Sequence, residues 1–182
     1  MKPSPYNYAA ALCARREYCA ADIAQLLYRH KVEADEIEAV VQRLIDERFI
    51  DHERYVCAFV NDKFRFAHWG RIKIRYALRQ KDIDDNLINR AFDKMIREED
   101  YEQAVKDFIN ARLKTTHGRT PYEVRQKVMR AALSRGYEMN YLHDIDIDED
   151  CRPIRSLAVK RSMDRIKEML DTEIAETEKE ML

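Results

Sequence analysis

The chain has 182 residues, 33 Lys+Arg against 34 Asp+Glu, a net charge of −1 and 46% hydrophobic residues. Glycine (3) and proline (4) together are 7 of 182, about 4%, against roughly 12% in an average chain. β-Sandwiches need many turn residues and nucleotide-binding α/β folds need a glycine loop, and Gly70, Gly118 and Gly136 supply neither. The apolar share suffices for a core, so composition predicts a folded, all-α protein.

In chain order, a leading helix is predicted over about Tyr8–Arg16. Two amphipathic segments follow, carried by Ile23, Leu26 and Leu27 and by Ile37, Val40, Val41 and Leu44, with a polar break at His30–Asp35. The layout returns as a leading helix over about Glu53–Phe66, then Ile72–Leu78 and Leu87–Ile96. It returns again as a helix over about Glu99–Leu113 and one opened by Thr120-Pro121-Tyr122-Glu123, a capping box with Pro at the first helical position. The last helix of this third set fades into the acidic Asp144–Asp150. Asp35, Asp51 and Asp84 suit N-caps or first-turn anions.

These segments form an internal repeat. A shift of 51 places Ile23, Leu27, Val32 and Ile37 on Ile74, Leu78, Ile83 and Ile88. A further shift of 54 reaches Val128, Ala132, Tyr137 and Leu142. The corner between the second and third helices recurs as Lys31-Val32, Asp82-Ile83 and Gly136-Tyr137. A left-handed residue followed by an apolar contact accounts for it; Gly is easiest there, Asp pays a small penalty and Lys a larger one. The predicted organisation is three three-helix repeats, 1–50, 51–97 and 98–150, and a charged helical tail, 151–182. The tail's thin stripe of Val159, Met163, Ile166, Leu170 and Ile174 suits a helix docked on the preceding unit or a short coiled coil.

No stretch approaches the roughly 18–20 apolar residues of a membrane span, and Met1–Ala11 lacks a basic region followed by an apolar run, so neither a span nor a secretory signal is expected. Cys13, Cys19, Cys57 and Cys151 form no C-x-x-C pair, Cys13 and Cys57 fall in apolar helical surroundings, and the cysteines read as buried free thiols. His30, His52, His68, His117 and His143 make no zinc pattern, and there is no nucleophile elbow or phosphate loop. Asp144–Asp148 departs from a calcium loop at its sixth position, Glu149, and its twelfth, Arg155. No cofactor, metal or catalytic residue is predicted, which points to a protein that acts by binding.

The near-zero net charge hides segregation. Lys63 to Lys81 holds seven basic residues, Lys63, Arg65, Arg71, Lys73, Arg75, Arg79 and Lys81, and no acid, with Phe64, Phe66, Trp69 and Tyr76 interleaved. Arg112 to Arg135 holds Arg112, Lys114, Arg119, Arg125, Lys127, Arg130 and Arg135 against one Glu123. Asp82 to Asp107 holds nine acids and four bases, and Glu138 to Asp150 six acids and no Lys or Arg. Serial repeats place the basic second helices along one side. The runs read either as a stripe facing an anion or as solvated faces paired to acids on neighbouring helices. Phe64, Trp69 and Tyr76 read as core rather than as stacking platforms, with Trp69, before a turn glycine, expected to be the most exposed of them.

Arg16-Glu17-Tyr18-Cys19-Ala20-Ala21-Asp22-Ile23 with Leu27 resembles the "R-x-Y-S-x-x-E-L-x-x-x-L" opening of the RecX regulatory proteins. Leu44 with Phe49-Ile50-Asp51 and Arg54-Tyr55-Val56 is similar to their "L-x-x-x-G-Y-I-D-D-x-x-F-A". Trp69-Gly70-Arg71-Ile72-Lys73 with Leu78-Arg79-Gln80-Lys81-Asp82-Ile83 is similar to "x-G-x-x-R-I-x-x-x-L-x-x-K-G-I", and Arg135-Gly136-Tyr137 to "R-G-F". Cys19, Asp22, His52 and Asp82 depart from the usual residues, and the acidic end of the third repeat and the tail lie outside the pattern. The resemblance implies an elongated, curved array of three-helix repeats: a cytoplasmic, monomeric protein that binds the RecA filament and modulates its recombinase, ATPase and co-protease activities. On that reading the basic runs make Lys63, Arg65, Arg71, Lys73, Arg75, Arg125, Lys127 and Arg130 the candidates for contacting RecA or its DNA, with Trp69 and Gly70 shaping the approach. A stand-alone nucleic-acid-binding helical-repeat protein is the alternative.

Overall fold

The computed structural model describes residues 3–142. Eight helices follow one another: α1 Pro5–Cys13, α2 Ala20–Arg29, α3 Ala34–Asp46, α4 His52–Arg65, α5 Arg71–Arg79, α6 Asp85–Met95, α7 Glu98–Thr115 and α8 Pro121–Arg135, closed by a 3-10 helix, Met139–Leu142. The described residues hold no strand, and the fold is an all-helical repeat. The first helix starts and ends about three residues before the expected span, because Ser4 caps its N-terminus and Pro5 opens it. The expected last helix of the third repeat beyond Leu142, the acidic Asp144–Asp150, Cys151 and the tail lie outside the described residues.

The repeat register is carried by burial. Ile23, Ile74 and Val128 are buried at the same place in α2, α5 and α8, as are Leu27, Leu78 and Ala132 one turn later. All three helices end in one corner. Lys31 (φ 60°), Asp82 (φ 58°) and Gly136 (φ 86°) adopt the left-handed conformation. Val32, Ile83 and Tyr137 then donate their amides to Leu27, Leu78 and Ala132 at 3.2, 3.3 and 3.2 Å. This satisfies a helix-terminal carbonyl and turns the following apolar side chain inward.

Two cores result. Helices α1–α3 enclose Ala9, Tyr18, Ile23, Leu27, Ile37, Val40, Leu44 and Ile50. Helices α4–α8 share a larger one, in which Tyr55, Phe64, Phe92, Tyr101 and Tyr137 are the large aromatics. Cys19 is buried in this second core, and its Sγ accepts from the Asp22 amide at 3.4 Å as the N-cap of α2. Among the described residues the three cysteines are free thiols, Cys19 buried and Cys13 and Cys57 half-buried.

Asp22 ties the cores together. It accepts from the Tyr55 hydroxyl at 3.2 Å and pairs with the Lys81 ammonium, while Glu17 pairs with Arg54 at 2.6 Å. Burial opposes the Asp22 carboxylate, but the Lys81, Cys19 and Tyr55 donors together outweigh it and hold its pKa below the ordinary value of about 3.8.

The most constrained point is where α8 ends against the start of α5. The Gly70 amide donates to the Arg135 carbonyl at 2.8 Å and the Ile72 amide to the Gly136 carbonyl at 3.1 Å. The Arg71 amide between them donates to the Tyr101 hydroxyl at 3.1 Å. The amides left over at the α5 N-terminus and the carbonyls left over at the α8 C-terminus satisfy each other. The approach needs glycine on both sides: a Cβ at residue 70 would lie 2.1 Å from the Gly136 carbonyl oxygen, and one at residue 136 would lie 2.4 Å from the Lys73 backbone nitrogen.

Two outcomes are expected. Gly70→Ala lowers stability by about 2–4 kcal/mol, because both clashing groups are backbone. Lys31→Gly raises it by about 1 kcal/mol by relieving a left-handed conformation. Urea melts check both, and an unperturbed G70A or an unimproved K31G contradicts the account. Asp22→Asn should cost about 1–2 kcal/mol at neutral pH. Since the folded-state pKa of Asp22 is depressed, its contribution is complete above the unfolded value and disappears as pH falls through the folded one. The wild-type–D22N gap should therefore shrink between pH 5 and pH 2; a pH-independent gap contradicts the junction.

Candidate functional site

The ten candidate residues separate into three groups. The first is consumed by the fold. Arg71, half-buried, pairs with Glu98 at 2.9 Å, donates to Tyr141 at 3.2 Å and lies 4.1 Å over the Tyr101 ring. Burial works against its charge, but Glu98 and Tyr141 outweigh it and raise its pKa. Arg75 donates to Asn89 at 2.7 Å and approaches Asp85 at 3.5 Å. Asp85 is held in addition by Arg79 through two hydrogen bonds, 2.9 and 2.6 Å. Gly70 is the backbone junction already described.

The second group centres on Trp69. Lys63 pairs with the neighbouring Asp62 at 2.7 Å, and its ammonium lies 5.5 Å from the Trp69 ring centre. The Lys73 ammonium lies 4.5 Å from the same ring. Trp69 is half-buried against the core, a cation-holding platform and not the exposed aromatic expected. Of the three aromatics expected in the core, the exposed one is Tyr76, 65% accessible, with Ile72 54% accessible one turn before it; Phe66, 75% accessible, is more exposed still. The reason is periodicity: Ile74 and Leu78 face the core, and a residue two positions from each is turned about 200° away. Phe64 is core, as expected.

The third group is open. Arg65, Lys73, Arg125, Lys127 and Arg130 make no ion pair among the described residues; Lys127 donates only to the His117 carbonyl, at 2.7 Å. Arg125 and Arg130 are exposed on α8. Because the Lys73 backbone abuts Gly136, Lys73 stands at the C-terminal end of α8. Arg130 then lies about 9 Å and Arg125 about 16 Å back along its axis, at 1.5 Å per residue. Around α8, at about 100° per residue, Lys127 and Arg130 are roughly 60° apart and share a face, whereas Arg125 lies roughly 140° round from Arg130, so Lys73 at the helix end joins Lys127 and Arg130 rather than all three cations. Positions related by the repeat have diverged: outward Ile72 and Tyr76 on α5 correspond to Gln126 and Arg130 on α8. Sequence reasoning missed this division, and the apolar period of α5 was the signal that carried it.

Among the described residues no group of three or more His, Cys, Asp and Glu side chains is arranged to hold a metal ion, and no helix is long and apolar enough to cross a membrane.

Comparison with known proteins agrees with the fold and its register. Residues 6–44 match the family model of the RecX first three-helix domain, and residues 51–91 that of the RecX second three-helix domain. The regulatory protein RecX of Xanthomonas axonopodis pv. citri is 28% identical over 137 residues, covering 75% of this chain and 82% of that protein. Those of Clostridium botulinum and Staphylococcus aureus are 29% and 24% identical, and the chain spans about half of their length, 52% and 54%. Among solved structures, a crystal structure of regulatory protein RecX aligns with a TM-score of 0.70 at 19% identity, over 75% of this chain and 68% of that one. RecX from Lactobacillus salivarius aligns at 0.64 and 17%, over 76% and 89%. With both domain models matched in order, the same fold in two solved structures and the same name on each relative, the comparisons support a RecX family regulatory protein.

Proposed function

We propose that this chain binds the RecA nucleoprotein filament and lowers its recombinase, ATPase and co-protease activities, acting by binding rather than catalysis, as a cytoplasmic monomer built of units 1–50, 51–97 and 98–150 with the tail 151–182. Similarity to the RecX regulatory proteins supports the regulatory role. The observation that carries the choice of surface is the split among the cations. The guanidiniums of Arg71, Arg75 and Arg79 are spent on Glu98, Asn89 and Asp85, whereas Lys73, Arg130 and Arg125 are not paired within the described residues. Lys127 and Arg130 on one face of α8, with Lys73 at the end of that helix, form a short cationic patch suited to neighbouring phosphates inside a filament. The same patch favours a second reading, direct binding of naked nucleic acid without RecA.

Added to RecA on single-stranded DNA, the protein should slow ATP hydrolysis and strand exchange in proportion to its concentration. The Arg125→Glu/Lys127→Glu/Arg130→Glu variant should keep its melting temperature, inhibit more weakly and show a salt slope of binding shallower by about two to three. Arg71→Ala should instead lower the melting temperature, because it removes a half-buried link between α5 and α7. Unchanged RecA turnover at saturating protein overturns the reading. Tight, salt-sensitive binding to naked DNA with no effect on RecA decides for the alternative.

A further inference from the structure

A groove of about 640 Å³ runs between α2 and α4, where the α1–α3 core meets the α4–α8 core. Its aromatic lining is Tyr18, Tyr55 and Phe59, the first two buried and the third half-buried. Four cations line it, Arg16, Arg29, Lys63 and Lys81, with three carboxylates, Glu17, Asp22 and Asp62.

Each carboxylate has a cationic partner, although the second oxygen of Glu17, Oε2, is buried without a hydrogen bond. Glu17 pairs with Arg54, Asp22 with Lys81 and Asp62 with Lys63. Arg16 and Arg29 make no ion pair among the described residues. They flank α2, one ahead of its first turn and one in its last. The Arg16 guanidinium rests 4.3 Å over the Tyr18 ring, which fixes its plane and leaves its N–H edge available.

We propose that this groove is a docking site for an acidic segment of a partner protein, in which two carboxylates reach Arg16 and Arg29 and an apolar side chain between them rests on Phe59. A volume in the range of ordinary ligand pockets and a Tyr/Arg-rich lining are what an interface hot spot needs. A nucleic-acid strand fits less well. Its phosphates, one per nucleotide, would be forced beside Glu17, Asp22 and Asp62, whereas a peptide can place its two carboxylates at Arg16 and Arg29, at the two ends of α2, and an apolar side chain between them. The groove therefore takes protein and α8 takes phosphate. The partner, a filament protomer, rests on the filament-binding reading; the chemistry of the groove does not.

The experiment compares wild type with Arg16→Glu/Arg29→Glu and with the milder Arg16→Gln/Arg29→Gln, each first checked for an unchanged melting temperature. Three probes are used: a RecA filament on single-stranded DNA, a naked thymidine oligonucleotide, and a decapeptide of alternating Glu and Leu. The expected result is that R16E/R29E weakens filament and peptide binding at least tenfold and leaves oligonucleotide binding unchanged, with the Gln variant intermediate. In an NMR titration the peptide should shift the resonances of Phe59 and Arg29. Peptide binding with no filament binding by wild type would remove the filament reading and leave the groove standing. Filament and peptide binding that the variants do not change overturns the groove, and so does an equal loss of oligonucleotide binding, which would make it a nucleic-acid site.

Discussion

Two glycines that lie 66 positions apart in sequence touch at the centre of this protein, and most of its surface chemistry follows from that contact. Gly70 opens α5 and Gly136 closes α8, and their backbones approach more closely than any side chain permits. The partial positive charge at one helix terminus meets the partial negative charge at the other, and hydrogen bonds that water would otherwise make are made within the protein. Tyr101, fully buried, completes the set by accepting from the Arg71 amide. Helices from two successive repeats thereby share one core instead of stacking as separate bundles.

That junction decides which cations are available. By seating the first turn of α5 against α7 and the 3-10 helix, it brings Arg71 to Glu98 and Tyr141. Further along α5, Asp85 at the start of α6 collects Arg75 and Arg79. Lys73, pressed against Gly136, is left beside Trp69 at the end of α8. Exposed ion pairs of this kind add little stability each, but they remove charge from the surface. The outward face of α5 becomes apolar, with Ile72 and Tyr76, while the related face of α8 stays cationic. One repeat element thus serves two kinds of surface.

Much of the fold was legible in the sequence, because the signal is local. The spacing of Leu27, Leu78 and Ala132 fixes the core face of each second helix. The corners at Lys31, Asp82 and Gly136 were readable because a left-handed residue followed by an apolar one is a short-range pattern. The site was less legible. A run of seven basic residues looks like one surface in sequence, yet Arg71 finds Glu98 at a separation of 27 residues and Lys81 finds Asp22 at 59, and those partners are chosen by packing. Arg16 stands out in the sequence only as the start of a motif and Arg29 not at all, because neither lies in one of the two long basic runs. The scarcity of glycine was informative in an unexpected way: two of only three were placed at corners, but their mutual contact has no local signature.

The account stands or falls on the Gly70–Gly136 junction, and amide hydrogen exchange at Gly70 and Ile72 tests it most directly. The first amides of a helix ordinarily lack partners and exchange quickly. Donated to the Arg135 and Gly136 carbonyls, these two should exchange as slowly as the Ile74 and Leu78 amides inside α5, through opening of the shared core. Exchange at the rate of the unbonded first-turn amides of α3, which has no side-chain cap, would mean that the two helices do not meet and that the division of cations described above does not hold.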